Sequence, residues 1–316
     1  MLDNSPKAED YDLCVRAAWL HYGAGLTQGE VAKRLGVPSL KAHRLIARAN
    51  KDGLVRFTID GEISECVRLE DAMRARYGLP FCEVCPDLDD EPLPLRTLAL
   101  AGSRFLRLAL ESGDEEVIGF GHGRTLAACV SMLPKMNVRQ IKLVSLLGGL
   151  TRRYSTTPFD VIHMLAERTG AEAYILPIPF YANSVEDRAV LLSQRGVPAI
   201  MDLGVSATLR LVGIGTMELD ASLLSTGMIE RGEFEDAKRA GGAGELLGHI
   251  FSLKGELIEN DISARTLSMP AADIGRQKTV AIAGGRSKTN AIKAVLASGL
   301  IHGLIVDERT ARVLTA

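Results

Sequence analysis

The chain has few aromatic residues, few cysteines and almost no net charge. Phe, Trp and Tyr make up 5% of its 316 residues, and the formal charge is −2. Five cysteines, an odd number, exclude a disulfide framework and fit a reducing compartment. No apolar run is long enough to span a membrane, and the polar start MLDNSPKAED is unlike a signal peptide. We therefore expect a cytoplasmic protein with no membrane partner.

Motifs for a metal or a nicotinamide cofactor are incomplete. Cys82 and Cys85 form a CxxC pair, but no second CxxC or nearby histidine pair completes a zinc site. Their surroundings, FCEVC, are typical of a buried strand. The glycines of GFGHGRT do not make GxGxxG, and no acidic residue follows at the distance that ribose binding needs. We expect neither a metal site nor a cofactor.

The stretch from Thr27 to Asn50 predicts a helix-turn-helix. Thr27 and Glu30 have the spacing of a capping box and mark the start of one helix. Gly36 ends that helix, and Pro38 favours an extended residue before the next one. The second helix has apolar residues with i, i+3, i+4, i+7 spacing, which predicts a buried face: Ala42, Leu45, Ile46 and Ala49.

A cationic face on the second helix indicates DNA binding. Residues 14–58 contain eight Lys or Arg and two acidic residues. The expected DNA contacts are Thr27, Gln28, Ser39, Lys41, His43, Arg44 and Arg48. The alternative is an ordinary helical hairpin with a solvated charged face. An upstream helix with Leu13, Ala17 and Leu20 inside, and a short strand over 54–59, favour a complete DNA-binding domain.

The apolar content of 47% is enough for a large core, and the length favours about two domains. We assign residues 1–60 to the DNA-binding domain and residues 81–316 to a domain for effector binding and oligomerisation. Between them, residues 61–80 predict a connecting helix along which Ile63, Val67, Glu70 and Arg74 lie. This helix is also a candidate dimer contact, which a protein that binds two half-sites needs.

From residue 81 onward, β-rich runs alternate with helical patterns, which predicts a doubly wound, mostly parallel α/β sheet. The predicted strands are 117–120, 141–147, 173–179, 209–214, 279–283 and 303–306. Several of them end in glycine, and we expect these loops to converge at the carboxyl edge of the sheet, where ligands bind. A small polar molecule is the expected ligand.

The chemistry of these loops fits two kinds of ligand. GFGHGRT leads into a helix, whose N-terminus together with Arg124 favours a phosphate, and Lys288 adds charge from another loop. Either cation can instead pair with Asp307 or Glu308. An uncharged polyol needs carboxylate and neutral partners, whereas a phosphosugar needs cationic ones. The sequence offers both sets, so the ligand stays open between them.

The order and spacing of the motifs resemble the SorC family of bacterial sugar-responsive transcription regulators over almost the whole chain. The motifs are LTQGEVAKRLGV, GFGHGRTL, SLLGGL, LVGIGT, GAGELLGHIF, AIAGGRSKTNAIKAVL and GLIVDERTARVL. The resemblance implies an effector domain like that of sugar-phosphate isomerases, assembly into a dimer or tetramer, and control of a catabolic operon. CVRAAWLHY and KAHRLIARAN are most similar to repressors of erythritol catabolism, which implies erythritol or a near metabolite as inducer.

The same resemblance implies positions for effector binding. It places Gly121, Arg124, Thr125, Gly149, Gly285 and Lys288 in ligand loops, and Glu245 where many members have aspartate. The glycine loops themselves add His122, Gly123 and Gly215 as candidates. Pro38 stands where relatives usually have a serine N-cap, so contacts at that position are expected to move to Ser39.

The competing function is a sugar-phosphate isomerase-like enzyme with an accessory helical domain. Such an enzyme needs a paired general acid and base near a carbonyl. Asp202, Glu218, Glu245 and His122 are candidates, but they have no recognisable catalytic spacing. We therefore expect no enzyme, and a repressor whose operator is released when the effector binds. A structural adaptor would leave the cationic helix face without a purpose.

Overall fold

The computed structural model describes residues 6–55, 64–88, 93–149, 160–218, 221–225 and 227–316, and the chain folds as two compact units, Met1–Glu62 and Ile63–Ala316. The helices are α1 Pro6–Ala18, α2 Gln28–Leu35, α3 Ser39–Lys51, α4 Ser64–Tyr77, α5 Leu95–Ser112, α6 Arg124–Ser131, α7 Val161–Thr169, α8 Val185–Leu192, α9 Val197–Ser206, α10 Ser222–Ser225, α11 Arg231–Arg239, α12 Asp261–Arg265, α13 Ala271–Ile274, α14 Thr289–Ala297 and α15 Glu308–Thr315. The strands are β1 Phe81–Cys85, β2 Val117–Phe120, β3 Lys142–Gly149, β4 Glu172–Pro179, β5 Leu209–Val212, β6 Gly215–Thr216, β7 Gly242–Leu246, β8 His249–Ser252, β9 Lys278–Ile282 and β10 Gly303–Asp307.

The smaller unit contains the predicted helix-turn-helix. Thr27 caps α2: its backbone N–H donates to Glu30 Oε2 at 2.8 Å, and its hydroxyl accepts from the Glu30 N–H. Gly36 ends α2 with a left-handed φ of 67°, which costs a glycine little. Pro38 occupies the N-cap of α3 in an extended conformation and provides no side-chain cap. The capping box and the glycine-centred turn are confirmed.

The core of this unit is built from α1, a π-helical turn over Trp19–Gly23, α2 and α3. The predicted inner residues of α3 are confirmed, and so is the inner face of the upstream helix: Ala17, Leu20, Ala42, Leu45, Ile46 and Ala49 are buried, and Leu13 packs partly buried against the same core. The strand expected over 54–59 lies largely outside the described residues. Leu54 and Val55, which are described, pack against the core without strand structure.

Helix α4 is part of the larger unit. Its buried side chains are Cys66, Leu69 and Met73, which lie near β1 and α15, and Glu70 accepts a hydrogen bond from the Val84 N–H at 2.9 Å. The predicted helix is present, and Val67, one of the residues named along it, is 51% exposed. Cys66 lies on the buried face with Leu69 and Met73, and Ile63 lies outside the described residues.

The larger unit is built on a seven-stranded sheet in the order β1-β10-β9-β5-β2-β3-β4, in which every neighbouring pair is parallel. The six predicted strands are therefore confirmed. Side chains such as Ile118 and Leu209 pack on one face with α5, α6 and α7. Ala281 and Leu304 pack on the other face with Phe234 and Ile292. Helical layers on both faces confirm the doubly wound class.

The strand order reverses between β2 and β5. From β2 the chain continues to β3 and β4 on one side, whereas β5, β9 and β10 lie on the other. In open α/β sheets, the crevice outside the carboxyl ends of the strands at such a switch point is the usual ligand site. The loops that follow β2 and β5 lie at this point.

A second, antiparallel sheet of β6, β7 and β8 was not predicted from the sequence. The predicted strand 209–214 ends at Val212, and Gly215 then pairs with Glu245 and Thr216 with Gly244. Strand β6 has only two residues, and β7 reads GAGEL, so neither shows a strand pattern. This small sheet places Glu245 beside the switch point.

The CxxC pair lies in β1, as the structural interpretation predicts. Cys82 and Cys85 are buried, and burial raises the pKa of the Cys82 thiol to about 12. Across the described ranges, no group of three or more His, Cys, Asp or Glu residues has the arrangement of a metal site. In that same part of the chain, no helix has the length and apolar character needed to cross a bilayer.

Candidate effector pocket and DNA-binding face

Helix α3 has an exposed polar face opposite its buried one. Lys41, His43 and Arg44 are exposed, and Ser39 lies in the first turn, the end of a recognition helix that meets base edges. Leu40 is 62% exposed beside them, a residue that the sequence analysis did not single out. An apolar side chain at this position is suited to contact a thymine methyl group.

Four of the expected DNA contacts, Thr27, Gln28, His43 and Arg48, already have protein partners. The Nδ1 atom of His43 lies 3.2 Å from the Gln28 side-chain oxygen, which links the two helices of the motif. Arg48 donates to Asp52 at 3.2 Å, and both side chains are about half exposed. Exposed ion pairs contribute little free energy, so a DNA phosphate can compete for Arg48. Thr27, in contrast, is used to cap α2.

In the larger unit, a cavity lies at the switch point between β2 and β5. Seven of the ten expected effector-binding residues line it: His122, Gly123, Arg124, Thr125, Gly215, Glu245 and Lys288. Its lining also includes Leu93, Gly213, Ile214, Thr216, Leu223, Leu247 and Ser287. The three leucines had no sequence signal, because they come from segments far apart in the chain.

The other three expected residues, Gly121, Gly149 and Gly285, do not line this cavity. The Gly121 N–H donates to the Leu211 carbonyl at 2.8 Å, and Gly149 accepts from the Phe180 N–H at 3.0 Å. Gly285 has a φ of 101°, and its N–H donates to Asp307 Oδ2 at 2.9 Å. The backbones of these three glycines are held by hydrogen bonds outside the cavity lining.

Glu245 is a buried carboxyl in the cavity wall. Its Oε1 atom accepts a hydrogen bond from the Gly248 N–H. Gly215 lies opposite on β6, and a Cβ atom at that position would push the Glu245 carboxyl out of its present position. Burial raises the pKa of Glu245 to about 7, against the opposing effects of the Gly248 hydrogen bond and the Lys288 charge.

Lys288 brings a positive charge to the same cavity. Its Nζ atom donates to the Ile214 carbonyl at 2.8 Å, which ties the turn before α14 to the loop after β5. Its charge favours the ionised form of Glu245. Asp307, a partner considered from the sequence, accepts from two backbone N–H groups. Glu308 forms an ion pair within α15 at 2.7 Å.

His122 has an unsatisfied ring nitrogen. Among the described residues, its buried Nδ1 atom has no hydrogen-bond partner. The ring packs edge-on against Phe180, with 5.3 Å between centroids. Burial lowers the pKa of His122 to about 4, so the ring is neutral at physiological pH. Because buried polar atoms are rarely left unpaired, a ligand hydroxyl is a natural partner.

The N-terminus of α6 adds an anion-binding element. Its N-cap, Gly123, has a φ of 120° and provides no side-chain cap. The first-turn N–H groups of a helix have no partner within that helix and carry partial positive charge. Arg124 follows at the first helical position and is exposed, and Thr125 is buried beside it. No carboxylate in the described part of the chain lies within ion-pair distance of Arg124.

Comparisons with known proteins agree with this architecture. Residues 61–316 match the Sugar-bind family, defined by a sugar-binding domain. The chain belongs to this family, which is the SorC family. The erythritol catabolism regulatory protein EryD of Brucella abortus is 52% identical over 305 residues, which are 96% of each chain. The regulator LsrR of Escherichia coli K12 is 30% identical and covers 95% of this chain and 93% of its own.

The solved structure of the full-length sorbitol operon regulator SorC from Klebsiella pneumoniae has a TM-score of 0.75 at 25% identity. The match covers 99% of this chain and 100% of that one. As a SorC family member, the chain is a transcriptional regulator with a sugar-binding effector domain. The interpretation of the motifs as those of a sugar-responsive regulator is confirmed.

We expect Glu245→Gln to stabilise the effector-free protein at neutral pH. A carboxyl with a pKa raised from 4.5 to about 7 takes up a proton on folding, so the wild-type free energy of unfolding falls as pH rises through this interval. The loss is about 3 kcal/mol. Urea unfolding of the wild type and of the variant at pH 5 and pH 7.5 measures this loss. The other titrating groups are the same in both proteins, so their effects cancel in the comparison. If the free energies of unfolding of the variant and the wild type differ by the same amount at both pH values, the raised pKa of Glu245 is contradicted.

Proposed function

We propose that the chain represses a carbohydrate or polyol catabolic operon and leaves its operator when a small sugar, polyol or phosphosugar binds the cavity. Erythritol and its near metabolites are the first candidates, because EryD is named as a regulator of erythritol catabolism. The observation that carries the proposal is the cavity at the switch point, where Glu245, His122 and Lys288 surround one space. The regulator acts in the cytoplasm, where its operator lies.

Two sets of polar groups in the cavity favour a ligand with both hydroxyl groups and an anionic group. Glu245 and the unpaired Nδ1 of His122 suit sugar hydroxyls. Arg124, Lys288 and the N-terminus of α6 suit a phosphate. A neutral polyol leaves the cationic set without a partner. A phosphorylated polyol satisfies both sets, so we rank it above the free polyol.

Operator release requires that the effector prefer one arrangement of the protein. A ligand shifts an equilibrium only through its differential affinity for the two states. We propose a homo-oligomer, a dimer or a tetramer, that holds two α3 helices at the spacing of two half-sites in the absence of effector. Effector binding favours a second arrangement with a different spacing. The two sites are then linked by a coupling free energy.

We propose that the cavity binds its ligand without turnover. Two of the four acid–base candidates are not part of its lining, since Asp202 is exposed on α9 and Glu218 pairs with Lys238 at 2.9 Å. His122 and Glu245 remain, and both fit hydroxyl binding. The relatives are named as regulators, which supports the same assignment.

A DNA-binding titration at fixed salt tests the proposal. The probe is the region upstream of the protein's own operon, with random DNA as the control, and each titration is repeated with erythritol, erythritol phosphate and a panel of phosphosugars. We expect specific binding that one compound reverses. Specific binding that no compound changes would remove the effector assignment. Failure to select any sequence from a genomic pool would favour the enzyme alternative.

A further inference from the structure

Helix α1 and the π-helical turn after it carry an apolar stripe on the surface of the smaller unit. Their inner residues, Cys14, Ala17 and Leu20, belong to the core. The outer stripe consists of Tyr11, Val15, Trp19 and Tyr22, which are 49%, 41%, 66% and 37% exposed. Several exposed apolar side chains on one face mark an interaction site more often than an isolated exposed residue does.

The local structure holds the stripe on the outside. Residues 11, 15 and 19 are four positions apart and therefore share one face of the helix, and Tyr22 follows within the π-helical turn. The indole of Trp19 lies over Gly23, since a Cβ there would sit 3.3 Å from its Cδ1 and Nε1 atoms. The fold thus supports this exposed ring from beneath.

We propose that the stripe is a homodimer interface, at which the smaller units of two copies pair through antiparallel α1 helices. Asp12 and Arg16 are both exposed and flank the stripe on the same side. A two-fold axis near Val15 brings equal flanks together, so Asp12 of one copy lies beside Arg16 of the other. The same axis sets Tyr11 against Trp19. The surface is therefore self-complementary, as an isologous interface requires.

The composition of the stripe favours a second copy over DNA. The stripe has no cation of its own, and the Asp12 carboxylate repels phosphate, whereas the exposed cations Lys41 and Arg44 lie on α3. Tyrosine and tryptophan in a setting of mixed charge are typical of protein interfaces. Tyr22 accepts a hydrogen bond from Asn50 of α3 at 2.6 Å, so pairing through the stripe also orients the recognition helix.

Two charge-reversal variants on the flank test the proposal, because mixing them restores pairing only if the stripe contacts a second copy of the chain. Asp12→Arg leaves two cations on the flank and Arg16→Asp leaves two carboxylates, so each variant repels itself. An equimolar mixture of the two restores opposite charges in mixed pairs. Trp19 is the only tryptophan of the chain, so its quenching by acrylamide reports coverage of the stripe in the full-length protein. We expect the quenching constant of the wild type and of the mixture to be about half that of either variant alone.

Val15→Glu gives a second variant, because it places a carboxylate on the two-fold axis. We expect it to raise Trp19 quenching to the level of the single charge variants and to remove one association step in sedimentation equilibrium, with an unchanged circular dichroism spectrum. Val190→Glu, at a residue 58% exposed on α8, is the matched control and should leave quenching unaltered. Equal quenching in all samples would overturn the proposal. A mixture in which Trp19 quenching stays as high as in the single variants would also overturn the proposal. That result would indicate that the larger unit, rather than a second copy, covers the stripe. No readout uses DNA or effector, so the result is independent of the proposed function.

Discussion

Arg44→Ala lowers affinity for the operator by about 10- to 100-fold, the effect expected when a guanidinium that reads a base edge is removed. Arg44 is exposed on α3, beyond the first turn and opposite the buried Leu45 and Ile46. Truncation therefore leaves the core of the smaller unit intact. We expect the loss to be larger for operator than for random DNA, so the specificity ratio falls as well. Fluorescence anisotropy at several salt concentrations measures both quantities.

The control for this prediction is Arg239→Ala. Arg239 is 76% exposed in the larger unit and pairs with Asp236, so its removal costs one positive charge without touching α3. We expect the control to bind operator within about twofold of the wild type, because a distant surface charge is screened at physiological salt. Equal losses in the two variants would show that net charge, rather than the α3 face, governs binding.

Lys288→Ala weakens effector binding by about 10- to 100-fold, the range for a lost charge-assisted hydrogen bond in a site sheltered from water. The variant also leaves the Ile214 carbonyl without its donor and removes the charge that favours ionised Glu245. Without effector, we expect operator binding to stay within about twofold of the wild type, because the residue lies in the other unit. The variant should therefore repress normally and resist induction.

The matched control is Lys293→Ala, a change at an exposed lysine on α14, the helix that follows Lys288. Calorimetry with the compound that releases the wild type from DNA gives the effector affinity of each variant. Lys293→Ala should match the wild type. A Lys288→Ala protein that loses operator and effector affinity together would contradict the separation of the two sites.

Local rules in the sequence account for what was predicted correctly in the smaller unit. The capping box needs only Thr27 and Glu30 at a spacing of three, and the structure has both of its hydrogen bonds. The turn needs only Gly36 and Pro38. These features depend on residues close together in the chain, so no knowledge of the tertiary structure was required. The exposed stripe on α1 escaped notice because core and surface apolar residues look alike until the core is known.

In the larger unit, the strands were predictable because each is a short apolar run that ends in a turn signal. The switch point then placed the loops after β2 and β5 together. The small antiparallel sheet was not predictable, because its strands are short and rich in glycine. The apolar part of the cavity wall was not predictable either, since Leu93, Leu223 and Leu247 meet only through tertiary packing.

The central claim is that effector and operator sites are coupled through the protein. The most direct test measures all four affinities of the cycle: operator with and without effector, and effector with and without operator. Coupling requires that the effector change operator affinity by the same factor as the operator changes effector affinity. We expect both factors to be about 10 to 100, with operator and effector opposing each other. An effector that binds the cavity while both factors remain at one would contradict the account.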